Sequence, residues 1–141
     1  MTTFHRFRVA AVALIAFNLI GTLITWAAHL SKPGTGAGHA ILQGTEFTGP
    51  LAFIALWVAC AFMLWANDRV ATVGTWLLTV FALGFSVGET SELMKSNVGV
   101  SSAKWSTIIV LDVIGLALAL TVVALGVLTI IHTRRVAATA R

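Results

Sequence analysis

Four long apolar runs, at residues 9–30, 47–66, 70–88 and 105–131, alternate with short stretches that collect Gly, Ser and charge. Each run approaches the ~20 residues a helix needs to cross a hydrocarbon core of ~30 Å, and the last is long enough to tilt. Lipid supplies no partner for backbone N–H and C=O, so a segment of this length must satisfy them internally as an α-helix. His5, Arg6 and Arg8 precede the first run, but it exceeds the roughly 7–15 apolar residues of a signal-peptide core and reads as a transmembrane helix. The pattern predicts an all-α integral membrane protein, one domain over residues 1–141, built as a four-transmembrane-helix bundle.

The connections set the topology. "NDR" at 67–69 is a tight turn, so the second and third helices form an antiparallel hairpin, while the connections at 31–44 and 91–104 are longer. Arg6, Arg8, Arg69, Arg134, Arg135 and Arg141 fall on one side of the four spans; Lys32, Lys95 and Lys104 fall on the other. Basic flanks mark the cytoplasmic side, which predicts both termini inside and a bacterial cytoplasmic membrane as the location. Trp26 and Trp105 then belong to the outer interface, and Trp65 and Trp76 to the inner one.

Composition agrees with the pattern. Hydrophobic residues make up 58% of the chain and charged ones only 10%, with a mean hydropathy of +0.95, far from the balance of a soluble domain. The net charge of +4 is accounted for by the arginine flanks, so nucleic acid is not an expected partner. Cys60, the sole cysteine, stands inside an apolar run and reads as a small packing residue.

Against this background the polar residues inside the spans stand out. Asn18, Thr22, Thr25 and His29 are spaced by four, three and four, which puts them on one face of the first helix, towards its outer end. Inward of Asn18 that face becomes Leu14 and Ala11, so the stripe opens only outward. Thr75, Thr79, Ser86 and Glu89 repeat at a helical period in the third span, and Asp112 stands about 10 Å beyond Trp105 in the fourth. A charge at such depth costs roughly 2.5–3.5 kcal/mol on insertion scales, so Asp112 should face the bundle. Gln43 and Glu46 precede the second helix and lead through Pro50 towards Trp57.

The chain has only five acidic residues, and Glu89 and Glu92 lie three apart where the third run ends. "SVGE" at 86–89 could be a capping box that starts a new helix. The apolar side kept by Leu93 and Met94 favours the other reading, a third helix that continues outward with both glutamates on its inner face. No ligand spacing joins His29 or His39 to other donors, so no metal or haem is expected. "GFSVG" at 84–88 is a GxxxG, and Gly115, Ala119 and Gly126 add small residues to the last helix, which would let helices pack closely within the bundle or in a homodimer.

These residues suggest a cofactor-free acid/base enzyme acting on a hydrophobic, lipid-like molecule by epoxide opening, double-bond isomerisation or cyclisation. Asp112 and Glu89 are the expected catalytic pair, since two carboxyls in different surroundings can divide the roles of acid and base. Asn18, Thr22, His29, Glu46, Ser86 and Glu92 would line the polar cavity, with Trp57 as its floor. Two alternatives are transport or binding of a cation or cationic amphiphile, and service as an accessory subunit of a larger membrane complex. A polar stripe that stops near Asn18 speaks against a conduit.

Overall fold

The computed structural model describes residues 2–27, 51–94 and 102–139. Four helices account for nearly all of them: α1 (Thr3–Ala27), α2 (Leu51–Met63), α3 (Asp68–Leu93) and α4 (Ser102–Thr139). Three segments, Thr3–Ile24, Asp68–Ser91 and Trp105–Val136, are long and apolar enough to cross a membrane. The second predicted span, 47–66, appears as the shorter apolar helix Leu51–Met63, with residues 47–50 outside the described ones. At 38 residues α4 is about 57 Å long, nearly twice a hydrocarbon core.

Local chemistry explains the helix ends. The Thr2 hydroxyl accepts a hydrogen bond from the His5 amide at 3.3 Å, an N-cap for α1. After Met63 the chain tightens through three backbone bonds, each to the residue three before, at Leu64, Trp65 and Ala66. Asn67 then caps α3, its side-chain oxygen accepting from the Val70 amide at 3.1 Å, with Asp68 next to the positive end of the helix dipole. The expected hairpin is therefore present. A Cβ added to Gly74 would stand 2.8 Å from the Cβ of Met63 and 3.0 Å from the carbonyl oxygen of Cys60, so only glycine lets α2 and α3 approach this closely.

Each of three helices buries one narrow stripe at spacings of three and four. In α1 it runs through Phe7, Ala11, Leu14 and Asn18; in α3 through Ala71, Thr75, Leu78, Ala82, Ser86 and Glu89. In α4 it is Ile108, Asp112, Gly115, Ala119, Val122, Gly126 and Thr129. Such spacing is that of knobs-into-holes packing in antiparallel bundles. Added Cβ atoms fix the register. At Gly126 one would meet Phe7 of α1 at 3.1 Å and the Thr79 Cβ of α3 at 3.1 Å; at Gly115 it would meet Phe17 at 2.9 Å. α4 thus runs antiparallel to both α1 and α3, and its contacts with them are the most extensive in the bundle. α2 completes the ring by packing on α1 and α3.

The exterior is apolar almost everywhere. Leu23, Phe62 and Val87 are 63%, 74% and 66% exposed, and they are three of many large hydrophobic side chains on the outside. Soluble monomers seldom expose apolar surface on this scale. Long apolar helices inside an apolar shell are the features of a helical membrane protein. Among the described residues nothing packs on the GxxxG: an added Cβ at Gly84 or Gly88 meets no atom within 4 Å.

Candidate functional site

α3 continues unbroken to Leu93, so Glu89 extends its inner face and does not start a new helix. Ser86 uses its hydroxyl proton on the Ala82 carbonyl at 2.8 Å, a helical back-bond and not a cap. Glu89 is only 3% exposed. A Cβ on Gly115 would lie 3.6 Å from its carboxyl carbon, so the carboxyl packs against the α4 backbone where that glycine leaves room.

Asp112, which is fully buried, precedes Gly115 by three residues on the same stripe. That is about 4.5 Å along the helix axis. Glu89 and Asp112, distant in sequence, are therefore brought within about one turn of each other at the α3–α4 seam. α1 closes the third side with Phe17 against Gly115 and Asn18 fully buried beside it. The Asn18 amide donates to the Leu14 carbonyl at 3.0 Å, and the Thr22 hydroxyl donates to the Asn18 carbonyl at 2.9 Å. Continuing the register from Phe17 and Gly115 puts the turn containing Thr22 level with Asp112.

Trp57 is buried on α2 in an aromatic seam. Its ring stacks on Phe81 at 6.5 Å and meets the edge of Phe85 at 5.5 Å, and Phe85 is one turn of α3 before Glu89. Its indole N–H is buried and has no hydrogen-bond partner among the described residues. Of the other expected site residues, His29 and Glu46 lie outside the described residues, as do the side chains of Thr25 and Glu92. Among the described residues no group of three His, Cys, Asp or Glu could hold a metal ion.

The opposite end of the bundle holds a feature that sequence reasoning missed. A cleft of about 540 Å³ lies between the starts of α1 and α3 and the later turns of α4. Asp68, Thr72, Thr75, Thr129, His132 and Thr133 supply its polar wall. Thr72, Thr75 and Thr133 each donate their hydroxyl proton to a carbonyl of their own helix, which leaves oxygen lone pairs facing outward. Thr129 is 7% exposed, and its hydroxyl has no partner among the described residues. The wall of the cleft is thus rich in acceptors. With Thr79 also buried, polar groups occur along the bundle interior on both sides of Ala82 and Val122. The polar stripe of α1 does stop at Asn18, as expected, but α3 and α4 resume it beyond.

No protein family matches this chain, and no curated protein or solved structure is similar to it. Function therefore has to be read from the site.

Proposed function

We propose that the chain is a four-span protein of the bacterial cytoplasmic membrane, both termini inside, that performs acid/base chemistry on a hydrophobic small molecule. The observation that carries the reading is the placement of the Glu89 carboxyl against Gly115, one turn from Asp112, inside the bundle. Ionisable groups inside a membrane domain are costly to keep and mark function by default. One carboxyl delivers a proton to a leaving or developing oxygen while the other removes a proton from carbon or water. Asn18 and Thr22 orient the polar end of the substrate, which enters from the outer side, and the apolar walls hold the rest.

The test uses purified protein in detergent with a panel of hydrophobic epoxides and alkenes, products being followed by mass spectrometry. Wild type is expected to form product, and Asp112→Asn and Glu89→Gln to lose at least about a hundredfold in rate, within the range of a general acid or base. Full turnover by both variants would end the reading.

A second reading, carriage of a cation or cationic amphiphile, is favoured by the acceptor-rich cleft at the opposite end and the hydroxyls of Thr75, Thr79 and Thr129. A carrier moves its ligand into sealed liposomes and makes no product in detergent, where no gradient exists. An enzyme does the reverse.

A further inference from the structure

Arg8 is the arginine drawn furthest into the helix packing. One terminal nitrogen of its guanidinium donates to the Leu64 carbonyl, while the buried Nε has no hydrogen-bond partner. The group lies 4.2 Å from the ring centre of Phe4 and 5.3 Å from that of Trp65. Among the described residues no carboxylate pairs with it. A guanidinium carries five donors in a planar fork suited to carboxylate or phosphate, and one donor is used here. Aromatic faces and a carbonyl hold the cation in place, and among the described residues its charge has no counter-ion.

Beside it runs a wholly apolar groove of about 520 Å³ between α1 and α2, lined by Val12, Ile15, Val58, Ala61, Phe62 and Trp65. Val12 is one turn from Arg8, and Trp65, which ends the groove, lies under the guanidinium. From Val58 to Trp65 the groove extends about 10 Å, the length of the upper part of an acyl chain. Arg6 and Arg69 are exposed at the same end of the bundle, which adds positive charge. A cation at the head and hydrocarbon below it reproduce, in negative, the layout of a phospholipid.

We infer that Arg8 and this groove form a site for an anionic glycerophospholipid, the phosphate on the guanidinium and one acyl chain between α1 and α2. The inference rests on the membrane-spanning reading and is independent of the carboxylate chemistry. It fits the excess of anionic lipid in the cytoplasmic leaflet, where basic pockets between helices capture headgroups. A zwitterionic lipid also offers phosphate, but it brings an ammonium towards the arginines and should bind less well.

Native mass spectrometry and thermal unfolding of the purified protein, titrated with phosphatidylglycerol or phosphatidylcholine of identical chains, test the site. Wild type is expected to retain phosphatidylglycerol at least about fivefold better and to gain the larger rise in Tm from it. Equal retention of the two lipids overturns the inference, and this comparison needs no variant. Inorganic phosphate alone should leave Tm unchanged; a rise equal to that from the lipid would remove the acyl groove from the site. Arg8→Gln should abolish the preference, whereas Arg135→Gln, at an exposed arginine of α4 that lines no part of the α1–α2 groove, should keep it. An undiminished preference in folded Arg8→Gln refutes the assignment of the headgroup. None of these readouts depends on turnover, so failure here leaves the carboxylate reading standing, and the converse holds.

Discussion

Asp112 and Trp57 ask different questions of single atoms. Replacing Asp112 by Asn preserves shape and removes an ionisable proton, so a chemical role predicts loss of activity with little change in Tm. A carboxylate that serves only as a hydrogen-bond acceptor predicts the opposite, a loss of about 1–3 kcal/mol as a buried partner goes unsatisfied. Measuring Tm and turnover on one preparation separates the two. For Trp57 the expected result is milder. Its buried indole N–H has no partner among the described residues, so Trp57→Phe removes a polar group that gains nothing from them. The aromatic seam with Phe81 and Phe85 can be kept. The smaller ring leaves a void where the indole packed, so a modest loss of stability, about 1–2 kcal/mol, is expected. If the N–H meets substrate, KM rises as well. A large fall in Tm with unchanged KM would show that Trp57 only packs.

The helices respond to glycine substitution according to what faces each glycine. Gly74→Ala drives a methyl into the Met63 side chain and the Cys60 carbonyl, and a cost of about 1–3 kcal/mol is expected from overpacking at the hairpin. Gly84→Ala meets open space, so helix propensity should dominate and stability should hold or rise by up to about 1 kcal/mol. Denaturation of the two variants side by side checks the contrast, and destabilisation by Gly84→Ala would mean that a second chain covers that face. The same contrast marks what sequence reading can reach. The hairpin, the unbroken third helix and the inward stripe of α3 were legible because periodicity and turn chemistry are local. The GxxxG was legible only as a surface for close approach, since small residues do not say which neighbour uses it. Glu89 and Asp112 could each be singled out by polarity in an apolar run. Their meeting at Gly115 needs the α3–α4 register, which no single segment encodes. The three-and-four spacing from Ile108 to Thr129 was a usable clue to Thr129 and its cleft, because it continues the Asp112 face to the other end of α4.

At the scale of the whole molecule, the start of α1, the α2–α3 turn and the later turns of α4 share one end, and the described arginines gather there. Single cysteines introduced in a Cys60→Ala background test the orientation. Positions near Thr35 and Ser101 should react with an impermeant reagent from outside, and Asp68→Cys should not. Labelling at Asp68 would invert the proposed topology and with it the side from which substrate enters.

One pattern in the hydrogen bonds has a mechanical side. Thr72, Thr75, Thr79, Ser86 and Thr90 of α3 all donate to the carbonyl four residues before, at 2.7–2.9 Å. A carbonyl shared between an amide and a hydroxyl holds its amide less firmly, and helices that carry such bonds bend more readily. α3 therefore bends more readily than it would without these bonds, and Glu89 rides about 15 Å beyond Thr79, measured along the axis. A small flexure near Thr79 swings that carboxyl through a larger arc than any group nearer the hairpin. Bending of α3 would therefore change how far Glu89 stands from Asp112.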